Sequence, residues 1–266
     1  MARLNFLFWN LAGKDLGAQV ENLVRLHGVD VLILAENSTS GEAILTADLA
    51  KDFVAVPEQN AKVQIYSKLP PSQFFLVANE PRYTVRLLSF DGMEEMLLVA
   101  LHLPSKINMT EYQQSAEAYF LNMNLAQIER DFGIQRTIVV GDFNMHPFDY
   151  GMVSHAGFNA VMTRKIAQKQ GRKVQFEHYP YFYNPMWGFF GDREEAGAVP
   201  GTLYKPGDFN WHLFDQLLIR PTLLGNFVQN ELKILTGDGK HQFLTKNGAV
   251  SKLFSDHLPL KFSLNF

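Results

Sequence analysis

In Thr137-Ile138-Val139-Val140-Gly141-Asp142-Phe143-Asn144 a short apolar run reaches a glycine and then a carboxylate and an amide. A β-branched run of this length, closed by turn-forming residues, predicts a strand buried on both faces. Ligands of α/β sheets gather where such strands end. Three other runs close in the same way: Phe6-Leu7-Phe8-Trp9 at Asn10, Val31-Leu32-Ile33-Leu34-Ala35 at Glu36, and Leu97-Leu98-Val99-Ala100-Leu101 at His102. One polar strand end is ordinary, because every strand must leave the core. Four of them, all carboxylate, amide or imidazole, predict one site assembled from distant segments. Ser255-Asp256-His257, just ahead of Leu258-Pro259-Leu260, is a fifth contribution.

Between these runs the pattern alternates between helix and strand. Leu16, Val20, Leu23 and Val24 fall at helical spacing, and Gly28 stands where that helix should stop. Thr39 or Ser40 is placed to cap a short second helix through Ile44, Leu45 and Leu49. Residues 53–101 read as β-rich, with runs around Val54, Val63, Phe75, Val85 and Leu97 and a hairpin-type Asp91-Gly92 pair. Thr110 then caps a long helix that carries Tyr112, Ala116, Tyr119, Phe120 and Met123 on one face and ends at Gly133. A strand over 137–144, a helix near 149–156 and strands near 212–219, 231–235 and 259–264 complete the pattern.

Residues 176–211 hold 11 of the chain's 34 aromatic residues, well above their share of its length. A loop this long is uncommon unless functional. Its rings, Tyr183 and Trp187 among them, read either as a base-stacking or substrate-shaping surface or as a subsidiary core that pins the excursion down.

The totals narrow the chemistry. The 266 residues, 47% hydrophobic and 19% charged, describe a globular chain. The site draws on residues from Asn10 to His257, so residues 1–266 are read as one catalytic domain. With no cysteine, disulfides, thiolate metal sites and cysteine nucleophiles are excluded, and a hard cation on oxygen ligands remains available. No apolar run reaches membrane-spanning length and no signal-peptide layout opens the chain. A cytoplasmic, non-inserted protein, monomeric by default, is the expectation. Lys plus Arg number 24 against 27 for Asp plus Glu, a net charge of −3, without the basic surplus usual in duplex-binding proteins. Arg164, Lys165, Lys169, Arg172 and Lys173 form a basic cluster, either a solvated helix face or a patch for flanking phosphates.

Glu36 and Asp256 are hard anionic donors and Asn10 a neutral one, a set suited to Mg²⁺ or Mn²⁺ with positions left for water and phosphate. Asp142, with Asn144 on the same turn, is placed to orient or deprotonate a water. His257 and His102 offer protons to phosphate oxygens. Asp215, at the entrance to an apolar strand, needs a buried partner, and an imidazolium would serve. An Asp–His pair fixes the tautomer and raises the basicity of the ring. His146, His155, His178, His212 and His241 take the structural reading, as do the methionines.

The ordered set Trp9-Asn10, Leu34-Ala35-Glu36, Leu101-His102-Leu103-Pro104, Gly141-Asp142-Phe143-Asn144, Phe214-Asp215-Gln216 and Ser255-Asp256-His257 resembles the endonuclease/exonuclease/phosphatase superfamily over nearly the whole chain. Gly141–Phe148 is similar to a bacterial branch of it. The resemblance implies an α/β fold, a four-layer α/β sandwich of two mainly antiparallel β-sheets packed face to face and flanked by helices. It makes Glu36 the principal metal ligand with Asn10 and Asp256 near the same ion. It puts Asp142 and Asn144 around the nucleophilic water, His257 (held by Asp215) opposite the scissile phosphate, and His102 on a phosphate oxygen. Two positions depart from the family pattern: Asn37-Ser38 follows the acid where Thr and a nearby Lys are common, and Gln216 stands where an aromatic is usual.

The implied activity is that of a Mg²⁺- or Mn²⁺-dependent phosphodiesterase acting on nucleic acid, with Arg164, Lys165, Tyr183 and Trp187 as candidate substrate contacts. A small-molecule or lipid-headgroup phosphatase on the same scaffold is the alternative. A catalytically dead binding module is a third reading, but it would have lost a carboxylate or the Asp–His pair, and neither is lost.

Overall fold

A computed structural model describes residues 3–38, 44–90, 92–192, 194, 197–207 and 209–266. In chain order the first elements are β1 (Arg3–Asn10), α1 (Gly17–His27), β2 (Val31–Ala35), β3 (Val54–Ala55), β4 (Val63–Ser67), β5 (Phe74–Glu80) and β6 (Tyr83–Leu88). β7 (Met96–His102), α2 (Glu111–Phe132), β8 (Thr137–Asp142), α3 (Tyr150–Val153), β9 (Ala160–Val161) and α4 (Arg164–Ala167) follow. The chain continues through β10 (Gly171–Val174), β11 (Glu177–Pro180), β12 (Phe182–Tyr183), β13 (Leu203–Lys205), β14 (Asn210–His212), β15 (Asp215–Ile219), β16 (Lys233–Ile234) and β17 (Leu260–Asn265).

Two sheets carry the fold. One has the order β16-β17-β1-β2-β4-β3 and the other β5-β6-β7-β8-β15-β12-β9. Within the first only β1–β2 is parallel, and within the second only β7–β8 and β9–β12. Both sheets are therefore mainly antiparallel.

Side-chain alternation builds the layers. Phe6 and Phe8 of β1, Ile33 of β2, Leu98 of β7, Val140 of β8 and Phe262 of β17 share one apolar core, which lies between the sheets. Their neighbours Leu7, Trp9 and Leu32 face the opposite way, onto Val20, Leu23 and Val24 of α1. On the far side Leu97, Val99 and Val139 meet Ala118, Leu121 and Leu125 of α2. Three apolar interfaces separate four layers, the α/β sandwich expected from the resemblance.

Helix ends follow their local chemistry. Gly28 (φ 56°) and Gly133 (φ 66°) close α1 and α2 in the left-handed conformation. The Thr110 hydroxyl accepts from the Gln113 backbone N–H while the Gln113 side chain accepts from the Thr110 N–H, a reciprocal cap.

Several expectations need correction. The face of α2 that packs inward is Gln114, Ala118, Leu121, Leu125 and Glu129, whereas Tyr112, Phe120 and Met123 are exposed. Two polar residues on the inner face have partners there: Gln114 Nε2 donates to the carbonyls of Pro104 and Asn144, and Glu129 pairs with Arg220. Thr39 and Ser40 lie outside the described residues, and the described part of the helix they were to cap holds only short 3-10 stretches, Leu49–Lys51 among them. The Asp91 half of the hairpin pair also lies outside them, although β6 and β7 do pair antiparallel. The helix near 149–156 is the one-turn α3, and the strand near 231–235 contracts to β16.

Candidate active site

Pairing register brings the polar strand ends together. In the parallel pair β1–β2, Asn10 lies opposite Ala35, so Glu36 leaves its strand beside Asn10. In the parallel pair β7–β8, His102 lies opposite Asp142, and antiparallel β15 sets Asp215 opposite Asp142 on its other side. The Asn10 Nδ2 group crosses from one sheet to the other, donating to Asp142 Oδ2 at 3.1 Å and to Glu36 Oε1 at 3.3 Å. Its Oδ1 accepts from the Ala12 N–H at 2.9 Å.

The rest of the cluster closes around Asp142. His102 Nε2 lies 3.2 Å from Glu36 Oε1 and 3.6 Å from Asp142 Oδ2. His257 Nδ1 donates to Asp215 Oδ2 at 2.8 Å, and the other nitrogen of the same ring lies 4.0 Å from Asp142 Oδ2. Asp142 Oδ1 accepts from the Asn144 N–H at 2.8 Å, and Asn144 Nδ2 donates to the Leu103 carbonyl at 2.9 Å. Asn10, Glu36, His102, Asp142, Asn144, Asp215 and His257 are thus one contiguous network.

Local backbone geometry makes the turn possible. Gly141 has φ 155°, and a Cβ there would sit 2.0 Å from the Leu101 carbonyl oxygen, so only glycine lets β7 and β8 approach this closely. Asn144 (φ 51°) and Glu36 (φ 47°) both adopt left-handed backbone. Asparagine tolerates that region, whereas for glutamate it costs about 1–2 kcal/mol.

Charges are perturbed in ways the contacts explain. The His102 hydrogen bond, against the cost of burial and with help from Asn10, lowers Glu36 to about 2. Burial, reinforced by the Asp215 charge, raises Asp142 to about 6. Burial opposes a charged His257 ring, but the Asp215 charge and hydrogen bond outweigh it and raise the imidazole to about 10. Asp142, Asp215 and His257 offer ligand atoms within 4.8 Å of one another. With the ring between two carboxylates, the imidazolium itself supplies the counter-charge.

Supporting residues lie where the motif reading gave no role. The Ser255 hydroxyl donates to the Asn10 carbonyl and accepts from the His257 N–H, tying the end of β1 to the histidine. Trp9 Nε1 donates to the His257 carbonyl at 2.8 Å. Gln216, fully buried, donates to the Met145 carbonyl and accepts from Asn184, and so holds the loop that follows Asn144. The departure from an aromatic at this position therefore has a structural use.

Asp256 is exposed and lines a cavity of about 910 Å³ that also includes Asn144, His212 and Phe214. Lys106, Lys205 and Lys252 stand around the same cavity. None of the candidate substrate contacts lines this cavity. Tyr183 is buried in the core between the sheets and pairs with Ile219, at the end of β15 away from Asp215. Arg164 donates to the Leu224 carbonyl, and Lys165 rides on α4, which packs on β9 and β12 at the sheet edge. Trp187 packs against Phe148 and Phe190. A β13–β14 hairpin and residues 245–252 form the cavity wall instead. Neither stretch carried a motif that would have pointed to it.

A family model described as the Endonuclease/Exonuclease/phosphatase family matches residues 7–229. The chain belongs to that family. Its members are phosphoesterase hydrolases that typically use divalent metals. No curated protein matches the chain. Among solved structures it is similar to the human Nocturnin catalytic domain with bound sulfate, at 14% identity and TM-score 0.60, over 99% of this chain and 94% of that one. It is similar to an AP endonuclease from Archaeoglobus fulgidus, at 14% identity and TM-score 0.59, over 99% and 100% of the two chains. The third is TDP2 from D. rerio complexed with single-strand DNA product, at 15% identity and TM-score 0.58, over the full length of both. At these identities the likeness is one of fold.

Proposed function

We propose that this member of the family is a divalent-cation-dependent phosphodiesterase that cleaves nucleic acid by in-line attack of water. The observation that carries the reading is the Asp215–His257–Asp142 line, closed on its other side by Asn10, Glu36 and His102.

The donor set fits a hard cation. Glu36 is ionised across the neutral range and partly open to solvent, with a side-chain exposure of 43%. Asn10, Asp142 and Asp256 add only oxygen donors, and no thiolate competes. Glu36 would hold Mg²⁺ or Mn²⁺ with Asn10 and Asp256 nearby. Once bound, the ion supplies Lewis-acid polarisation of a phosphoryl oxygen and stabilises the leaving alkoxide.

The chain's own groups do the rest. Asp142, lifted towards 6 and held by the Asn144 N–H, takes the proton of the attacking water. As the new phosphorus–oxygen bond forms, the bond to the leaving oxygen breaks. The protonated His257 ring and His102 donate to the phosphate oxygens, where negative charge builds in the transition state. Asp215 keeps His257 in the required tautomer and charge state.

Incubation with supercoiled plasmid, single-stranded DNA and RNA, each with Mg²⁺ and with EDTA, tests the reading. Metal-dependent cleavage is expected, and Asp142→Ala and His257→Ala proteins should fold but show no turnover. Near-normal turnover in either variant removes the assignment. A second reading, hydrolysis of a small phosphate monoester, is favoured by the 910 Å³ cavity, a size usual for a small-molecule site. Release of inorganic phosphate from inositol or nucleotide phosphates, with every polynucleotide left intact, would establish it instead.

A further inference from the structure

The aromatic segment divides into two populations. Tyr181, Phe182, Tyr183 and Phe189 are buried. Phe190 and Phe209 are 37% and 58% exposed, and they converge on Phe148, which is 41% exposed and lies four residues beyond Asn144. Their ring centroids are 5.8 and 6.2 Å from that of Phe148. Phe148 stacks on His146 at 4.9 Å with 5° between the planes, and His146 meets Phe214 edge-on at 4.9 Å. Phe214 lines the cavity beside Asn144 and Asp256. A continuous row of rings therefore leads from the catalytic turn out to the surface.

We infer that this row is a stacking wall for unpaired bases, so that the substrate is a single-stranded segment threaded from the wall into the cavity. The inference rests on the phosphodiesterase reading and specifies its substrate. Stacking on a protein ring needs a base with a free π-face, which a duplex interior does not offer and a single strand does. Lys205 and Lys252 around the cavity supply local positive charge for the strand's phosphates, whereas Lys106 is paired with Glu111 and Asp149 and the chain as a whole carries −3. Two lysines at one mouth, with the 164–173 basic cluster outside the cavity lining, suit a short unpaired stretch better than a long duplex tract. They suit an anionic bilayer poorly for the same reason. The wall's imidazole, sandwiched within the row, also makes it less apolar than a membrane-inserting edge.

The experiment compares single-stranded DNA and RNA oligonucleotides, the matching duplexes, and an oligonucleotide of equal length whose residues near the cut are abasic sugars. The native protein should cleave the base-bearing single strand with a KM about tenfold below that of its abasic counterpart, as expected for one or two stacked bases. Phe148→Ala and Phe209→Ala should lose that preference through a rise in KM for the base-bearing strand. Phe176→Ala, which removes a ring 92% exposed on the β10–β11 hairpin and outside the wall, should retain it. Cleavage of single strands with an unchanged base preference in both wall variants overturns the inference and leaves the phosphodiesterase reading standing. So does equal or better cleavage of the duplex. Hydrolysis of inositol or lipid-headgroup phosphates alone, with no oligonucleotide cut, overturns both.

Discussion

The His257 ring is hydrogen-bonded through Nδ1 to Asp215 at 2.8 Å and reaches towards Asp142 with its other nitrogen, so two buried carboxylates share one imidazole. Because Asp215 raises the ring to about 10, His257 stays charged through neutral pH and loses its proton only in alkali. Replacing Asp215 by Asn removes the charge that holds the proton. We expect kcat to fall by about 100-fold or more and the alkaline limb of the pH–rate profile to move towards neutrality. A profile of unchanged shape in Asp215→Asn would show that the pair does not set the protonation of the ring.

Glu36 combines a left-handed backbone (φ 47°) with a functional carboxylate. Glycine at this position relieves the backbone strain, so Glu36→Gly should unfold at the same or a slightly higher temperature, on the order of 2 °C up. Turnover should be lost at the same time. Thermal melts and rate measurements on one preparation check both. A fall in melting temperature of several degrees would mean that the carboxylate's hydrogen bonds outweigh the strain.

His146 is 3% exposed, and burial lowers its pKa to about 4. Its folded value lies below the ordinary 6.5, so the unfolded chain binds the proton more tightly. This contribution to stability is full above about pH 6.5 and is lost as pH falls towards 4, on the order of 3 kcal/mol in all. In His146→Phe, chemical-denaturation midpoints should depend less on pH across that window. Equal pH slopes in the two proteins would assign the acid sensitivity to other groups.

Arg220 pairs with Glu129 through Nε at 2.8 Å and Nη2 at 3.0 Å, with side chains only 3% and 9% exposed. Removing one partner strands a buried charge. Arg220→Met should therefore cost about 3–5 kcal/mol, and Glu129→Leu combined with Arg220→Met should recover much of it. Urea unfolding of the two variants tests this. The pair lies at the end of β15 away from Asp215, where the Arg220 N–H meets the Thr137 carbonyl, so rates per folded molecule should not change.

The parts of this molecule legible in its sequence are those where hydropathy and position coincide. The β1, β2, β7 and β8 runs are buried on both faces and so read as strands, and their polar terminators became neighbours because parallel register aligned them. The outer helix misled for the opposite reason. α2 buries Gln114 and Glu129, which have partners, and leaves Tyr112 and Phe120 in solvent, so its apolar residues mark the wrong face. Tyr183 read either as a substrate-facing ring or as part of a subsidiary core because its stretch is irregular, and two residues of strand carry it into the core between the sheets. Lys205 and Lys252 could not be connected to the site at all, since only the folded β13–β14 hairpin and the 245–252 loop bring them to the cavity.

β1 pairs along its length with β17, and Ser255 fastens the carbonyl of Asn10. During synthesis the first strand must therefore wait for residues 260–265 to emerge before its neighbour exists. A ribosome-bound chain lacking residues 255–265 has no complete catalytic cluster. Assembly of the cluster around Asp142 is thereby tied to the arrival of the segment that carries Ser255, His257 and β17.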